Sequence, residues 1–261
     1  MTLAPPTNGD PRRFSTIAHG TRRILGPIDD ARLDALVDAC PLERGDHVLE
    51  IGCGKAELLV RLLARWPGGT AEGFDRNPWF LADGRSAAEA AGGDVSTRLS
   101  LIETDAPAMF LADRSVAMTI ALGATGVYDG SQAATVAGLA AATRPGGLVV
   151  FGDGLWIREP SAAGLRAFGM NRDEMVDGVD GFAGLGIENG LRIEGVEVVD
   201  EAEWDAYEAA YADTIAVWAT ANPDDPEHDE FMARSAMMAE SYRDWRRDAF
   251  GFAIGRFRKP A

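Results

Sequence analysis

Apolar positions along the chain follow two periods in turn. His47–Ile51 is a short apolar run that predicts a strand. Glu57–Trp66 then repeats its leucines at helical spacing until Pro67–Gly68–Gly69 stops it. The alternation continues with a strand over Thr70–Phe74, a helix over Pro78–Ala91 and strands over Arg98–Glu103 and Val116–Leu122. A helix over Gln132–Thr143 follows, then a turn at Arg144–Gly147 and a fifth strand at Leu148–Gly152. Before the first strand, Asp29–Cys40 reads as a helix with Leu33, Leu36, Val37 and Cys40 on one face, and Phe14–Ile28 shows only weak periodicity. Strands that alternate with helices imply right-handed crossovers, hence an α/β fold with a doubly wound, mostly parallel sheet.

The last third keeps a different rhythm. Glu174–Asn189 predicts a helix and Ile193–Val199 a sixth strand. Two long helices, Glu203–Thr220 and Glu227–Arg247, are divided by Asn222–Pro226, and the alternating segment Phe250–Phe257 completes a seven-stranded sheet. The expected organisation is an N-terminal tail and cap over 1–28, a core over 29–200, a helical hairpin over 201–248 and a final core strand over 249–261. Aromatic stripes on the two late helices (Trp204, Tyr207, Tyr211 and Trp218; Phe231, Tyr242 and Trp245) read first as mutual packing. Placed between the last two strands, the hairpin is also suited to act as a lid.

Charge narrows the partners. The chain of 261 residues carries a formal net charge of −16. Its basic doublets, Arg22–Arg23 and Arg246–Arg247, are isolated, which argues against nucleic acid and against an anionic membrane. With 46% hydrophobic residues, the chain has the content of a globular protein. Only Cys40 and Cys53 occur, so a disulfide framework is not expected and a reducing compartment fits. Thr2–Arg13 has no apolar core for export, and no run approaches the roughly 20 apolar residues of a membrane span. The expectation is a soluble, cytoplasmic protein. No His/Cys/Asp spacing suggests a metal, and nothing forms a Ser-His-Asp or Cys-His set.

The chemistry concentrates after the first strand, where Glu50–Ile51–Gly52–Cys53–Gly54–Lys55–Ala56 leads into a helix. Glycines there let a ligand approach the backbone where any Cβ would exclude it, and Glu50 can balance a cation. An acidic residue followed by alternating glycines resembles the first motif of the class I S-adenosylmethionine methyltransferases, with Ala56 standing where the third glycine usually is. A dinucleotide-binding dehydrogenase would need a glycine at position 57. Glu57 stands there instead and would meet a pyrophosphate with like charge.

That resemblance, strongest over about residues 29–155, implies a Rossmann-like methyltransferase fold and S-adenosyl-L-methionine as cofactor. It implies donor contacts from Glu50, Gly52, Cys53 and Gly54, a ribose-gripping Asp75 with Arg76 beside it, Asp105 and Ala106 near the adenine, and Leu122–Gly123 near the methionine half. Arg144–Gly147 resembles the structural turn before the fifth strand of the family. Asn77–Pro78–Trp79–Phe80 looks like the Asn-Pro-Pro-aromatic box of adenine-N6 methyltransferases, but it follows the second strand rather than the fourth, and Pro78 reads as the first residue of a helix. The acceptor, a small molecule, is expected beyond the fourth and fifth strands, with Tyr128, Trp156, Tyr207 and Tyr211 as contacts. Asp153 and His19 are the candidate catalytic groups, against a turn aspartate and a surface histidine. The methyl would pass in line to an O, N, S or C nucleophile. A nicotinamide oxidoreductase and a non-catalytic donor-binding module are the alternatives.

Overall fold

In a computed structural model of the chain, which describes residues 3–105, 115–125 and 131–261, the described strands form one sheet in the order β3-β2-β1-β4-β5-β7-β6. β1 (His47–Ile51) lies between β2 (Thr70–Asp75) and β4 (Val116–Leu122). β3 (Leu99–Glu103) forms one edge and β5 (Thr143–Trp156) extends the sheet on the other side, all in parallel. β7 (Phe250–Arg258) inserts antiparallel between β5 and β6 (Arg192–Val198). The strand order reverses between β1 and β4, the point where open α/β sheets bind their ligands.

Alternate residues of the central strands face two different helix layers. Val48, Met118, Ile120 and Val150 pack with α2 (Asp30–Asp38), α3 (Glu57–Arg65) and α4 (Pro78–Ala90). Leu49, Ile51, Ala121, Val149 and Phe151 pack with α6 (Gln132–Ala142) and α8 (Gly178–Glu188) on the opposite face. Both faces are covered, so these strands read as continuous apolar runs. Asn77 caps α4 by accepting from the Trp79 and Phe80 amides, with Pro78 opening the helix. The short helix α5 (Val95–Arg98) leads into β3.

Several boundaries differ from the sequence reading. β5 reaches from Thr143 to Trp156, with the expected turn at 144–147 contained in it. Its ladder with β4 skips from Thr143 to Leu148, and Gly146 (φ +74°) donates its amide to the Lys259 carbonyl at 2.9 Å. The far end lengthens because Asp153–Trp156 pair with β7. A helix absent from the expectation, α7 (Ala162–Phe168), follows, and α8 starts only at Gly178, whose φ is +59°.

The N-terminal segment holds a seven-residue helix, α1 (Arg13–His19), too short to show a periodic face. Its Phe14 and Ala18 pack with Tyr211, Ile215 and Phe231 of the two late helices, α9 (Glu201–Ala221) and α10 (His228–Ser241). Buried Arg13 pairs with Asp225 and Glu227 in the connection between them. After α10 the chain winds a π-helical turn over Tyr242–Arg246, and α11 (Arg247–Ala249) delivers it to β7. The π turn places Arg246 in a two-pronged buried ion pair with Glu208, at 2.9 and 3.1 Å. Among the described residues, no helix is long and apolar enough to cross a membrane.

Candidate active site

β1 ends in a turn that needs glycine at two positions. Gly52 has φ +67°, and a Cβ there would lie 2.4 Å from that of Ala124. Gly54 has φ +54°, and its Cβ would meet Leu25 at 2.6 Å. Ala56, at the usual third-glycine position, also takes a left-handed conformation (φ +56°) as the residue before α3. The Cys53 amide donates to the Phe74 carbonyl at 3.0 Å, and the Gly54 amide to Asp75 Oδ2 at 2.8 Å, so the turn is tied to the end of β2.

A cavity of about 590 Å³ opens over this turn. Its floor holds Glu50, Gly52, Cys53, Gly54, Asp75, Arg76, Asp105, Leu122 and Gly123, the donor contacts expected from the sequence. Ala106 lies outside the described residues, as does Tyr128. Glu50 is only 4% exposed, and its Oε2 has no hydrogen-bond partner. Burial, then the negative charge of Asp75, pushes its carboxyl up to about 8. The Asp75 carboxyl is also raised by burial, against the amides of Asn77 and Gly54 that hold its charged form. Glu57 lines the cavity too, but its carboxylate is held by Arg61 at 2.7 Å and Arg23 at 2.6 Å. Cys40 and Cys53 are buried free thiols. Among the described residues, no cluster of three or more His, Cys, Asp or Glu side chains is placed to hold a metal ion.

The roof comes from α1, the strap after it and α9. His19 is 9% exposed, with Nδ1–H donating to the Ser15 carbonyl at 2.8 Å and Nε2 lying 3.5 Å from the Tyr207 hydroxyl. Burial first, then the positive charges of Arg22 and Lys55, push the imidazole down to about 4, so it is neutral at neutral pH. Lys55 reaches from the glycine turn to the Gly20 carbonyl and to Asp83 at 2.8 Å. Asn77 donates to Thr16 Oγ1 at 2.9 Å. The N-terminal helix is thus fastened to the floor of the cavity.

Three residues expected in the site are placed elsewhere. The Asp153 carboxylate accepts from Gln132 Nε2 at 3.1 Å, with burial raising its pKa, and it does not line the cavity. Trp156 is 1% exposed, its indole N–H donates to the Arg172 carbonyl at 2.9 Å, and its ring packs on Phe250. Tyr211 sits among Phe14, His19 and Tyr207, in the packing between α1 and the hairpin. Sequence reasoning missed Trp204 and Phe252, which line the cavity with rings 6.5 Å apart. Trp204 was visible in the aromatic stripe of α9, whereas the position of Phe252 follows from the antiparallel register of β7, which pairs it with Gly154.

Comparison with known proteins agrees with this geometry. Residues 48–147 match the family described as the methyltransferase domain. Over 243 residues, 93% of this chain and 96% of the other, the sequence is 29% identical to the uncharacterized protein YjhP of Escherichia coli K12. A methyltransferase of Thiobacillus denitrificans, solved with S-adenosyl-L-homocysteine, superposes with a TM-score of 0.84 at 28% identity, covering 94% of this chain and 97% of that one. A Geobacter sulfurreducens methyltransferase, also solved with S-adenosyl-L-homocysteine, gives 0.85 at 28% identity over 95% and 98%. Both are S-adenosylmethionine-dependent enzymes, and the sheet seen here is their Rossmann-like methyltransferase fold.

Proposed function

We propose that this chain, a class I S-adenosylmethionine-dependent methyltransferase, transfers the methyl group to a small molecule held between Leu122 and the α9 wall of the cavity. The observation that carries the donor assignment is Glu50, a buried carboxylate whose Oε2 has no partner among the described residues. A bound cation would relieve that isolation, and a phosphate would worsen it. S-adenosylmethionine brings a sulfonium and an ammonium, and when bound it supplies an activated methyl group. The two solved relatives hold its demethylated product, which supports the same ligand here.

In this reading Gly52 and Gly54 admit the methionine half against the backbone, Glu50 balances its positive charge, and Asp75 accepts from the ribose hydroxyls. Asp105 and Arg76 flank the adenine end. The α1 helix and its strap cover the site, which keeps water from the reacting atoms and holds donor and acceptor at near-attack distance. His19 orients the Tyr207 hydroxyl rather than serving as a strong base, since its ring is neutral and its outer nitrogen faces that hydroxyl. A small acceptor fits the cavity volume and the net charge of −16 better than a nucleic acid does.

Calorimetric titration with S-adenosyl-L-homocysteine, followed by incubation of the enzyme with methyl-labelled donor and a fractionated metabolite pool, tests the proposal. Binding with label appearing in a low-mass fraction is expected. Label recovered only in protein or nucleic acid would refute the small-molecule reading, and no binding at all would refute the donor assignment.

A further inference from the structure

Near the α9 wall of the cavity lie buried hydrogen-bond donors that, among the described residues, have no acceptor or only distant ones. Trp204 lines the cavity, and its buried indole N–H has no acceptor among the described residues. The Tyr207 hydroxyl makes long contacts, 3.5 Å each, to His19 Nε2 and the Leu25 carbonyl. Behind it, the Arg22 guanidinium lies 4.7 Å from the centre of the Tyr207 ring and donates one N–H to the Tyr207 carbonyl at 3.2 Å, while its buried Nη2 has no partner. Among the described residues, Arg22 is the only arginine not exposed to solvent that pairs with no carboxylate. Other buried or half-buried arginines do pair, such as Arg13 with Asp225 and Arg246 with Glu208.

The acids near this wall are already engaged. Glu208 holds Arg246, and Asp205 accepts from the Tyr242 hydroxyl and from Arg247. Leaving a cation and two buried N–H groups uncompensated is costly unless a ligand completes them.

We infer that the methyl acceptor carries a carboxylate, held at this wall by the Trp204 indole N–H and the Tyr207 hydroxyl in the field of Arg22. A single negative charge suits the site better than two, because one cation serves the wall while Glu50, Glu57, Asp75 and Asp105 line the same cavity. This inference rests on the proposed acceptor position between Leu122 and α9.

The test uses full-length protein labelled with 15N-tryptophan and saturated with S-adenosyl-L-homocysteine, with the Trp204 indole signal assigned from Trp204→Phe. Benzoate, benzamide and inorganic phosphate are titrated separately. Benzoate should move the Trp204 signal saturably and bind roughly tenfold more tightly than benzamide, the advantage of a charge-assisted hydrogen bond. In Arg22→Gln the preference for benzoate should vanish while affinity for S-adenosyl-L-homocysteine stays within about twofold, which shows the fold intact. Equal response to benzamide, tighter binding of phosphate, or a Trp204 signal unmoved by all three would overturn the carboxylate assignment. Failure to bind S-adenosyl-L-homocysteine in the preceding titration would instead sink the donor reading on which the assignment rests.

Discussion

Replacing Glu50 with glutamine keeps the shape of the site and removes a carboxyl that the donor-free protein must hold protonated at a cost. The Glu50 carboxyl is pushed from an ordinary 4.5 up to about 8 by burial and by Asp75. A folded-state pKa above the unfolded value means the folded protein holds the extra proton, so stability falls as pH rises from 4.5 to 8. At pH 7 roughly 2.5 units of that window have been crossed, which at about 1.36 kcal/mol per unit is on the order of 3 kcal/mol. Glu50→Gln should therefore raise the stability of the donor-free enzyme at pH 7 by up to about 3 kcal/mol, or roughly 5–10 °C in Tm for a chain of this length. At pH 5 the gain should shrink below about 1 kcal/mol.

Donor binding should reverse the order. A sulfonium and ammonium beside Glu50 favour the carboxylate, so at pH 7 binding should release nearly one proton from a group that titrates near 8. Titration calorimetry in two buffers of different protonation enthalpy counts that proton. The glutamine variant should release none and should bind S-adenosylmethionine by roughly 2 kcal/mol or more less tightly. A variant with the wild-type slope of stability against pH, and no proton released by the wild type, would refute the claim that Glu50 is the counter-charge.

Other expectations follow from the same geometry. The folded His19 imidazole titrates near 4, well below its ordinary 6.5, so the unfolded chain takes up its proton first. His19 should cost the fold on the order of 3 kcal/mol between pH 6.5 and 4, a loss that urea titrations of His19→Leu should not show. Asp75→Ala should weaken S-adenosyl-L-homocysteine by roughly 1–3 kcal/mol, and an unchanged calorimetric affinity would remove Asp75 from the site. Arg246→Met strands the buried Glu208 carboxylate and should lower stability by about 3–5 kcal/mol, whereas Arg246→Met with Glu208→Leu should recover most of it in thermal denaturation. If the single and double variants melt alike, the pair is not coupled.

The donor half of the site was legible because its physics is local. A short apolar strand, glycines where the backbone must turn left-handed, and an acid at each neighbouring strand end are all written within thirty residues, from Glu50 to Asp75. The acceptor half depends on pairings distant in sequence. Asp153 and Trp156 stand at the right end of β5, but which side of the ladder they serve is decided by the register with β7, and that register brings Phe252 to the cavity in their place. On α9, Tyr211 packs against α1 instead of meeting the acceptor as expected, whereas Tyr207, also expected as a contact, lines the cavity together with Trp204. One face of α9 meets α1 over its later turns and open space over its earlier ones, a division that no periodicity encodes.

α1 shows most plainly why its order could not be read from its own residues. Seven residues form too short a helix to stand alone, and each of its attachments is made to a different element. Arg13 goes to the loop between α9 and α10, Phe14 and Ala18 go to the faces of those helices, and Thr16 accepts from Asn77 at the donor floor. Just past its end, the Gly20 carbonyl takes the Lys55 ammonium from the glycine turn. The helix therefore bridges the donor floor to the hairpin. His19 and the strap that carries Arg22 are held where both halves of the cavity meet, and whatever orders the floor also steadies the wall that would receive the acceptor.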